Sequence, residues 1–463
     1  MNKIITLWRR KIVIPEGGWE LDTPCLMTEA IFEASGHLAH FYDKLTECKK
    51  CHARWRADQL LEKYVKNKSL EGLSPEELTE LLKKLNVKCP NCGGAEFTDV
   101  KTFNLMFSTT IGVGGNLKGY LRPETTQGAA VEFKQLFSVA RSTLPLVIAQ
   151  VGRVFRNEIS PRQSLIRVRE FNLAEIQIFF DPEDPGYDKK FESIKNYPLR
   201  FLRVKDREKN KITIITAEEA YLSGYTVNKL ITYWLVLFMK FFNEHLGFPL
   251  EALRYKELNE DERAHYAKVH WDLQCYSEEF GWVEVVNSAY RTDYDLRRHM
   301  EKSGEDLSIV RNGRRIIPHM YEPSIGLDRV ILHLLLLNLR REKDRTLIAL
   351  PRHLTPIEVG VFPLVTRDSL DIKAREVYNL LCERGFIAFY DEKGSIGRRY
   401  RRMDEIGTPI CVTIDYETLE DNTVTIRDRD SMKQVRVPIN ELPRAIKRFI
   451  EGAKLEELGQ PVK

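Results

Sequence analysis

Residues 155 to 182, FRNEISPRQSLIRVREFNLAEIQIFFDP, gather the side chains of this chain best suited to hold an anionic ligand. Arg156 and Glu158 are two apart, so on an extended strand they project from one face, a donor fork beside an acceptor. After a short loop, Arg167, Phe171 and Glu175 recur at even spacing, with Leu173 a spacer on the same side. That face presents a cation, an aromatic plane and a carboxylate in order. A guanidinium donates paired hydrogen bonds to phosphate oxygens, an aromatic ring stacks on a base, and a carboxylate accepts from an amine. Together they suit a nucleotide and an amino group. The bland alternative is a surface hairpin with cross-strand ion pairs, each contributing little.

A second constellation is made of thiols. Cys48-Lys-Lys-Cys51 and Cys89-Pro-Asn-Cys92-Gly-Gly are two knuckles, each able to turn two thiolates toward one ion, and four thiolates close a tetrahedral zinc site. Such a site has no open position, so the zinc would hold structure and perform no chemistry. Two unrelated cysteine-bearing turns are the alternative. A redox role fits less well, because neither pair stands at a strand-to-helix junction. A charged helix is expected between the knuckles near Ser74 to Leu85, started by Ser74-Pro-Glu-Glu.

The elements that must position these groups fit a chain of 463 residues and 54.0 kDa, enough for about two or three domains. Charged residues are 30% and apolar ones 43%, an ordinary soluble profile without low-complexity tract or repeat. Net charge is only +4, so a nucleic-acid partner must be met by a local basic patch, for which Arg398 to Arg402 is a candidate. The apolar runs Leu230 to Met239 and Val330 to Leu339 fall short of the roughly 20 residues a membrane span needs, and read as buried helices. No basic leader with an apolar stretch opens the chain, and the expectation is a cytoplasmic protein. Eight cysteines do not suggest a disulfide framework, since the two knuckles account for four. From about Arg345, the short apolar strands LIALP and VGVFPLV, a helical stretch over Ser369 to Arg384 and the strand FIAFYD imply an α/β domain.

Phe-Arg-x-Glu, a loop, then Arg-x-x-x-Phe-x-x-x-Glu resembles motif 2 of class II aminoacyl-tRNA synthetases, in wording nearest the glycyl type. YLRPETTQGAAVEFKQLF (residues 120 to 137) is similar to that family's Arg-Pro-Glu-Thr-x-Gln-Gly segment, and YEPSIGLDRV (residues 321 to 330) to its motif 3. The likeness continues through residues 394 to 415 and 423 to 430, and so covers nearly the whole chain. It implies an α+β fold: a catalytic domain over 1–344, built on an antiparallel β-sheet flanked by helices, with a zinc-binding insertion at 45–95 and a mainly helical insertion at 184–275. A C-terminal α/β anticodon-binding domain over 345–463 would follow, of the kind shared by glycyl, histidyl, prolyl and threonyl synthetases.

The resemblance also implies an activity: joining glycine to ATP as glycyl adenylate, with release of pyrophosphate, then transfer of glycine to the 3′ end of tRNA(Gly). By position, Arg156 would grip the α-phosphate and the amino-acid carboxylate, Glu158 the adenine amino group, and Arg167 the γ-phosphate. Phe171 would stack on the base with Arg329 opposite. Asn157, Val168, Glu284 and Val285 complete the ATP set, Glu284 as the ATP or metal contact, with Mg2+ bridging the phosphates. Glu124, Glu175, Glu322, Pro323 and Ser324 would surround glycine with Arg291 nearby, and Arg56 is a supporting candidate. A homodimer is expected, without DNA or membrane partners. Glycine offers no side chain to read, so selectivity must come from carboxylates on its ammonium group and a pocket too small for a methyl.

Two departures stand out. The chain opens directly with MNKIITLWRRKIVIPEGGWELDTP, inside motif 1, without the family's preceding stretch, and it has Asn287 and Tyr290 where many relatives carry Gly and Asp. The alternative expectation is a non-catalytic, synthetase-like accessory protein that binds nucleic acid. A third, weaker, is a zinc-dependent RNA-binding module.

Overall fold

A computed structural model of the chain describes residues 1–65, 70, 72–161 and 163–462. Residues 66–69 and 71 of the cysteine-bearing insertion, and 162 within the 155–182 stretch, lie outside the described residues. The described chain forms two compact units, Ile5–Leu332 with Met1, and His333–Lys463 with Asn2–Ile4.

The larger unit is built on a nine-stranded sheet. In chain order its strands are β1 (Trp19–Glu20), β2 (Leu146–Phe155), β3 (Glu170–Phe180), β4 (Pro198–Leu202), β5 (Thr213–Thr216), β6 (Leu253–Glu257), β7 (Val269–Ser277), β8 (Gly281–Thr292) and β9 (His319–Gly326). Their spatial order is β1-β2-β3-β9-β8-β7-β6-β4-β5. The central strands are antiparallel, but β1 runs parallel to β2 and β4 parallel to β6, so the sheet is mixed at its ends. Register aligns the polar residues across it: Gln150 of β2 faces Glu175 of β3, Glu175 faces Ser324 of β9, and Ser324 faces Asn287 of β8. Because side chains alternate along a strand, this row belongs to one face of the sheet.

That face is closed partly by helix α1 (Thr126–Val131), whose residues Thr126 to Ala130 are all buried, and by helix α3 (Tyr294–Ser303). Ala129, Ala130, Phe133, Leu146, Ile148, Phe179, Leu296 and Met320 form one cluster there. Helix α2 (Lys229–Lys240) is apolar nearly all round and buried from Leu230 to Met239 except Leu237, with Asn228 accepting from the Ile231 amide at its start. The 184–275 segment, expected to be mainly helical, holds α2 but also β4, β5, β6 and the start of β7, and so completes one end of the sheet. Short alternating stretches such as PLRFL carry too few residues for a helix and pair instead.

The cysteine-bearing insertion has its own small sheet, Tyr42–Glu47 between Arg54–Arg56 and Lys101–Asn104, and two helices, Ala57–Glu62 and Pro75–Lys84. Ser74 caps the second helix in a reciprocal box with Glu77. Leu60, Leu61, Leu78, Leu82, Val87, Phe97 and Val100 pack around Cys48 and Cys89.

The smaller unit carries a six-stranded sheet of strands β10 (Val359–Pro363), β11 (Ala388–Tyr390), β12 (Ile410–Ile414), β13 (Thr423–Asp428), β14 (Gln434–Pro438) and β15 (Gln460–Pro461), ordered β11-β10-β12-β13-β14-β15. β11, β10 and β12 are parallel and the rest antiparallel. Its main segment begins at His333, and Arg345 is tied into its core by bonds to Asp404 at 3.1 Å and to the Arg429 carbonyl at 2.6 Å. Asp404 sits on helix α4 (Ile396–Ile406) and also binds Arg427 at 2.9 Å. The Arg398 to Arg402 run is divided by that helix. Arg399 is buried on the carbonyls of Pro363 and Gly394, Arg402 pairs with Asp391, and Arg401 lies 3.7 Å from Asp404. Arg398 is left exposed. Among the described residues no helix is long and apolar enough to cross a membrane.

Candidate active site

β2 and β3 pair as a hairpin from Leu146↔Phe179 to Phe155↔Glu170, but β2 ends at Phe155 and β3 begins at Glu170, so Arg156, Glu158 and Arg167, expected on the strands, lie in the connection between them. One cavity gathers Phe171, Leu173 and Glu175 from alternate positions of β3, Glu322, Ser324 and Gly326 from alternate positions of β9, and Glu284 and Asn287 from β8. Arg156, Glu158, Arg167 and Val168 join it from the hairpin connection, Glu124 from the loop before α1, and Asp328 and Arg329 from the helix that follows β9.

At one end the cationic and aromatic groups meet. The Arg156 guanidinium lies 5.3 Å from the centre of the Phe171 ring and 5.4 Å from that of Phe41, and its Nε donates to the Pro123 carbonyl at 3.3 Å. Arg329 is held by the Ile166 and Glu284 carbonyls, both at 3.0 Å, and lies 3.2 Å from the Glu284 carboxylate. Burial pushes the Glu284 carboxyl up, but Arg329 and Arg156 outweigh it and hold the group below its ordinary range. Arg167 donates to Gln59 of the cysteine-bearing insertion at 3.2 Å and lies 3.7 Å from Glu158. The Asn172 amide, at the head of β3, donates to Asp328 at 2.7 Å and so pins motif 3 to motif 2.

At the other end stand three buried carboxylates. Glu175 accepts from the Thr125 amide at 2.7 Å, from the Thr125 hydroxyl and from Ser324 at 2.8 Å. Glu322 accepts from Thr126 and from Arg291, the latter at 2.5 Å. Glu124 accepts from Arg291 at 3.0 Å, from Gln127 at 2.9 Å and from Tyr266 at 3.2 Å, with His37 3.6 Å away. Arg291 is fully buried and also binds Asp295 at 2.7 and 2.8 Å.

These contacts separate the carboxylates electrostatically. Burial raises Glu124, but Arg291 and His37 bring it well below the ordinary range. Burial and the neighbouring Glu124 charge push Glu175 up. For Glu322 the Arg291 contact favours the charged form, yet burial together with Glu124 and Glu175 prevails and carries it to about 8. An acidic cluster with a single buried cation is short of positive charge, and a ligand ammonium would supply it.

Not every residue expected at the site reaches the cavity. Arg291 stands behind it, neutralising the cluster from the protein side. Pro323 and Val285 are buried among strand neighbours on the opposite pleat from Glu322, Ser324 and Glu284. Asn157 lies outside the lining, its amide donating to the Leu105 carbonyl. Arg56 pairs with Asp58 at 2.5 Å and Asp43 at 3.3 Å and lines a second cavity with Trp55, Tyr64, Lys88 and Arg167. Of the two residues that depart from many relatives, Asn287 lines the main cavity, whereas the Tyr290 hydroxyl bonds His319 at 2.6 Å. Sequence reasoning missed Tyr266, Asp295, His37 and Asp328. None of the four stands in a local pattern that marks it, and each is brought to the site by its contacts with Glu124, Arg291 or Asn172.

The four thiols converge as their spacing predicted. Their sulfurs lie within 4.8 Å of one another, with Cys48–Cys92 at 3.6 Å and Cys51–Cys89 at 3.7 Å. Tetrahedral zinc at its usual thiolate distance would set neighbouring sulfurs about 3.8 Å apart, so the donor set fits that ion.

Comparison with known proteins agrees with this geometry. Residues 115–338 match the tRNA synthetase class II core domain (G, H, P, S and T), and residues 358–449 an anticodon binding domain. A glycine–tRNA ligase of Thermococcus gammatolerans is 41% identical, over 94% of this chain and 90% of that protein. The chain belongs to the glycine–tRNA ligase family. Relatives from Pyrococcus furiosus and Methanococcus maripaludis are 40% and 38% identical, each over 96% of this chain and over 91% and 92% of their own. Among solved structures, a prolyl-tRNA synthetase of Cryptosporidium parvum superposes with a TM-score of 0.57 at 15% identity, over 97% of this chain and 68% of that one, a likeness of fold. The expected α+β synthetase core, the anticodon-binding domain and ligase activity are those of this family. The non-catalytic accessory reading finds no support.

Proposed function

We propose that this member of the glycine–tRNA ligase family activates glycine with ATP in the cavity between β3, β8 and β9, and then charges tRNA(Gly). The observation that carries the reading is the division of one cavity into a cationic, aromatic end and an end of three buried carboxylates. The glycine carboxylate is a nucleophile at neutral pH, so the first step needs no general base and rests on positioning and charge stabilisation. Arg156 orients the α-phosphate beside the incoming carboxylate and stabilises the charge that gathers there. Phe171 and Arg329 hold the adenine between them, Glu158 accepts from its amino group, and Arg167 meets the γ-phosphate. Glu175, Glu322 and Glu124 receive the ammonium, with Ser324 steadying Glu175.

Glu284 would hold Mg2+, which when bound neutralises phosphate charge that side chains alone leave exposed. Cys48, Cys51, Cys89 and Cys92 would hold a structural Zn2+. A homodimer in the cytoplasm is part of the same reading. The test is ATP–pyrophosphate exchange with glycine, alanine and serine. Exchange with glycine alone supports it, and exchange independent of amino acid counts against it.

A further inference from the structure

Among the described residues, Tyr266 is the one aromatic residue lining the carboxylate end of the cavity. It comes from the connection between β6 and β7, not from a motif strand, and nothing in its sequence neighbourhood marks it. Its hydroxyl donates to Glu124 at 3.2 Å, and its ring lies flat enough against Arg291 that the guanidinium carbon is 3.5 Å from the ring centre. The ring therefore packs on the buried cation that Glu124 and Glu322 share, a contact strengthened by the absence of water.

The connection carrying it is fixed at both sides. His265 lies 3.0 Å from the Ser35 carbonyl, and the Lys268 amide donates to the Tyr290 carbonyl at 2.8 Å. The His265 ring presses so closely on Gly36, at φ 78°, that a Cβ there would fall 2.9 Å from its Nε2. The Tyr266 ring also lies 5.0 Å from that of His265 in an edge-on pair. Swinging the ring aside would give up its contacts with Glu124, Arg291 and His265.

We propose that Tyr266 is the specificity-determining wall of the amino-acid end, closing from outside the sheet the space in which any side chain larger than hydrogen would lie. The proposal rests on the glycine reading of the cavity. Glu175, Glu322 and Ser324 form the floor on the sheet and fix the ammonium, while Tyr266 faces them and excludes the substituent. Discrimination against a larger substrate by a rigid wall is a steric matter, unlike the weak discrimination a roomy pocket has against a smaller one.

The test is ATP–pyrophosphate exchange with glycine and with alanine on the full chain and on Y266F, Y266A and Y266L. Y266A and Y266L should raise the alanine-to-glycine ratio of kcat/KM by roughly 10- to 200-fold, the span of one methylene's discrimination. Y266F keeps the ring and should leave that ratio in place while raising KM for glycine through the lost Glu124 contact. Calorimetric binding of glycyl- and alanyl-sulfamoyl adenosine gives the same comparison without turnover. Glycine exchange by the variants with an unmoved ratio, or an equal shift in Y266F, would overturn the assignment of Tyr266 alone. Failure of the unsubstituted chain to exchange with glycine, or to bind the glycyl analogue, would overturn the reading of the cavity beneath it.

Discussion

At the scale of single residues the site is governed by how little positive charge faces its carboxylates. Glu322 binds a proton more readily folded than unfolded, its group being raised to about 8 by burial and by Glu124 and Glu175. Its contribution to stability is therefore complete below the ordinary glutamate range and is lost as pH rises through about 8. Glu124 acts with the opposite sign: held well below its ordinary range, it stabilises above that range and the contribution is lost as pH falls. The ligand-free chain should lose stability between about pH 5 and 8. E322Q should flatten that decline, which denaturant unfolding at several pH values reads directly. Identical slopes in both proteins would refute this account of Glu322. Arg156→Lys keeps the charge but not the planar fork, and we expect kcat for exchange to fall by roughly 10²–10³, the effect of removing one donor aimed at developing charge. A change confined to KM for ATP would show instead that Arg156 only binds.

Among elements, the hairpin was the most legible, because alternation on a strand is a rigid rule. Phe171, Leu173 and Glu175 share the face that their spacing predicts, and the same rule turns Pro323 away, whereas at Val285 a bulge in β8 against β7 breaks the alternation, so that Glu284 and Asn287 both line the cavity. The cysteine-bearing insertion was legible for a different reason: thiol spacing sets a turn geometry, and the Ser74 box a helix start. What the sequence did not show is that Gln59 of this insertion bonds Arg167, and that Ser160 donates to the Arg54 carbonyl at 2.8 Å. If the four thiols hold a structural metal, chelation should open the insertion to proteases within 45–95 while the nine-stranded sheet resists. Limited proteolysis with and without chelator checks this, and equal protection would argue against a structural metal. Ser74→Ala removes one half of the capping box and should cost about 0.5–2 kcal/mol of the insertion's stability.

For the whole molecule, the proposed function puts activation in the larger unit and tRNA recognition in the smaller one. Substitution of the exposed Arg398 by Glu should raise KM for tRNA in charging assays and leave glycine-dependent pyrophosphate exchange unchanged. Impaired exchange would show that the residue acts beyond tRNA binding. The long separations matter here too. Arg291 reaches Glu124 across 167 positions and Thr126 reaches Glu322 across 196, contacts that no local pattern encodes.

By itself the sequence determined several blocks of the site, because each rests on short-range geometry: alternate residues of β3, paired thiols, a capped helix, and the change to α/β alternation in the C-terminal region. The tertiary structure alone decided which of the marked residues face ligand and which support from behind. Burial placed Arg291 behind the cavity as the shared counter-charge, Asp43 and Asp58 drew Arg56 into a second cavity, and α4 split the Arg398–Arg402 run between core and solvent. The same long-range packing brought Tyr266 to Glu124 from a connection without a recognisable pattern. Side-chain direction on a strand follows from the backbone, whereas the pairing of buried charges depends on which distant segments exclude water together.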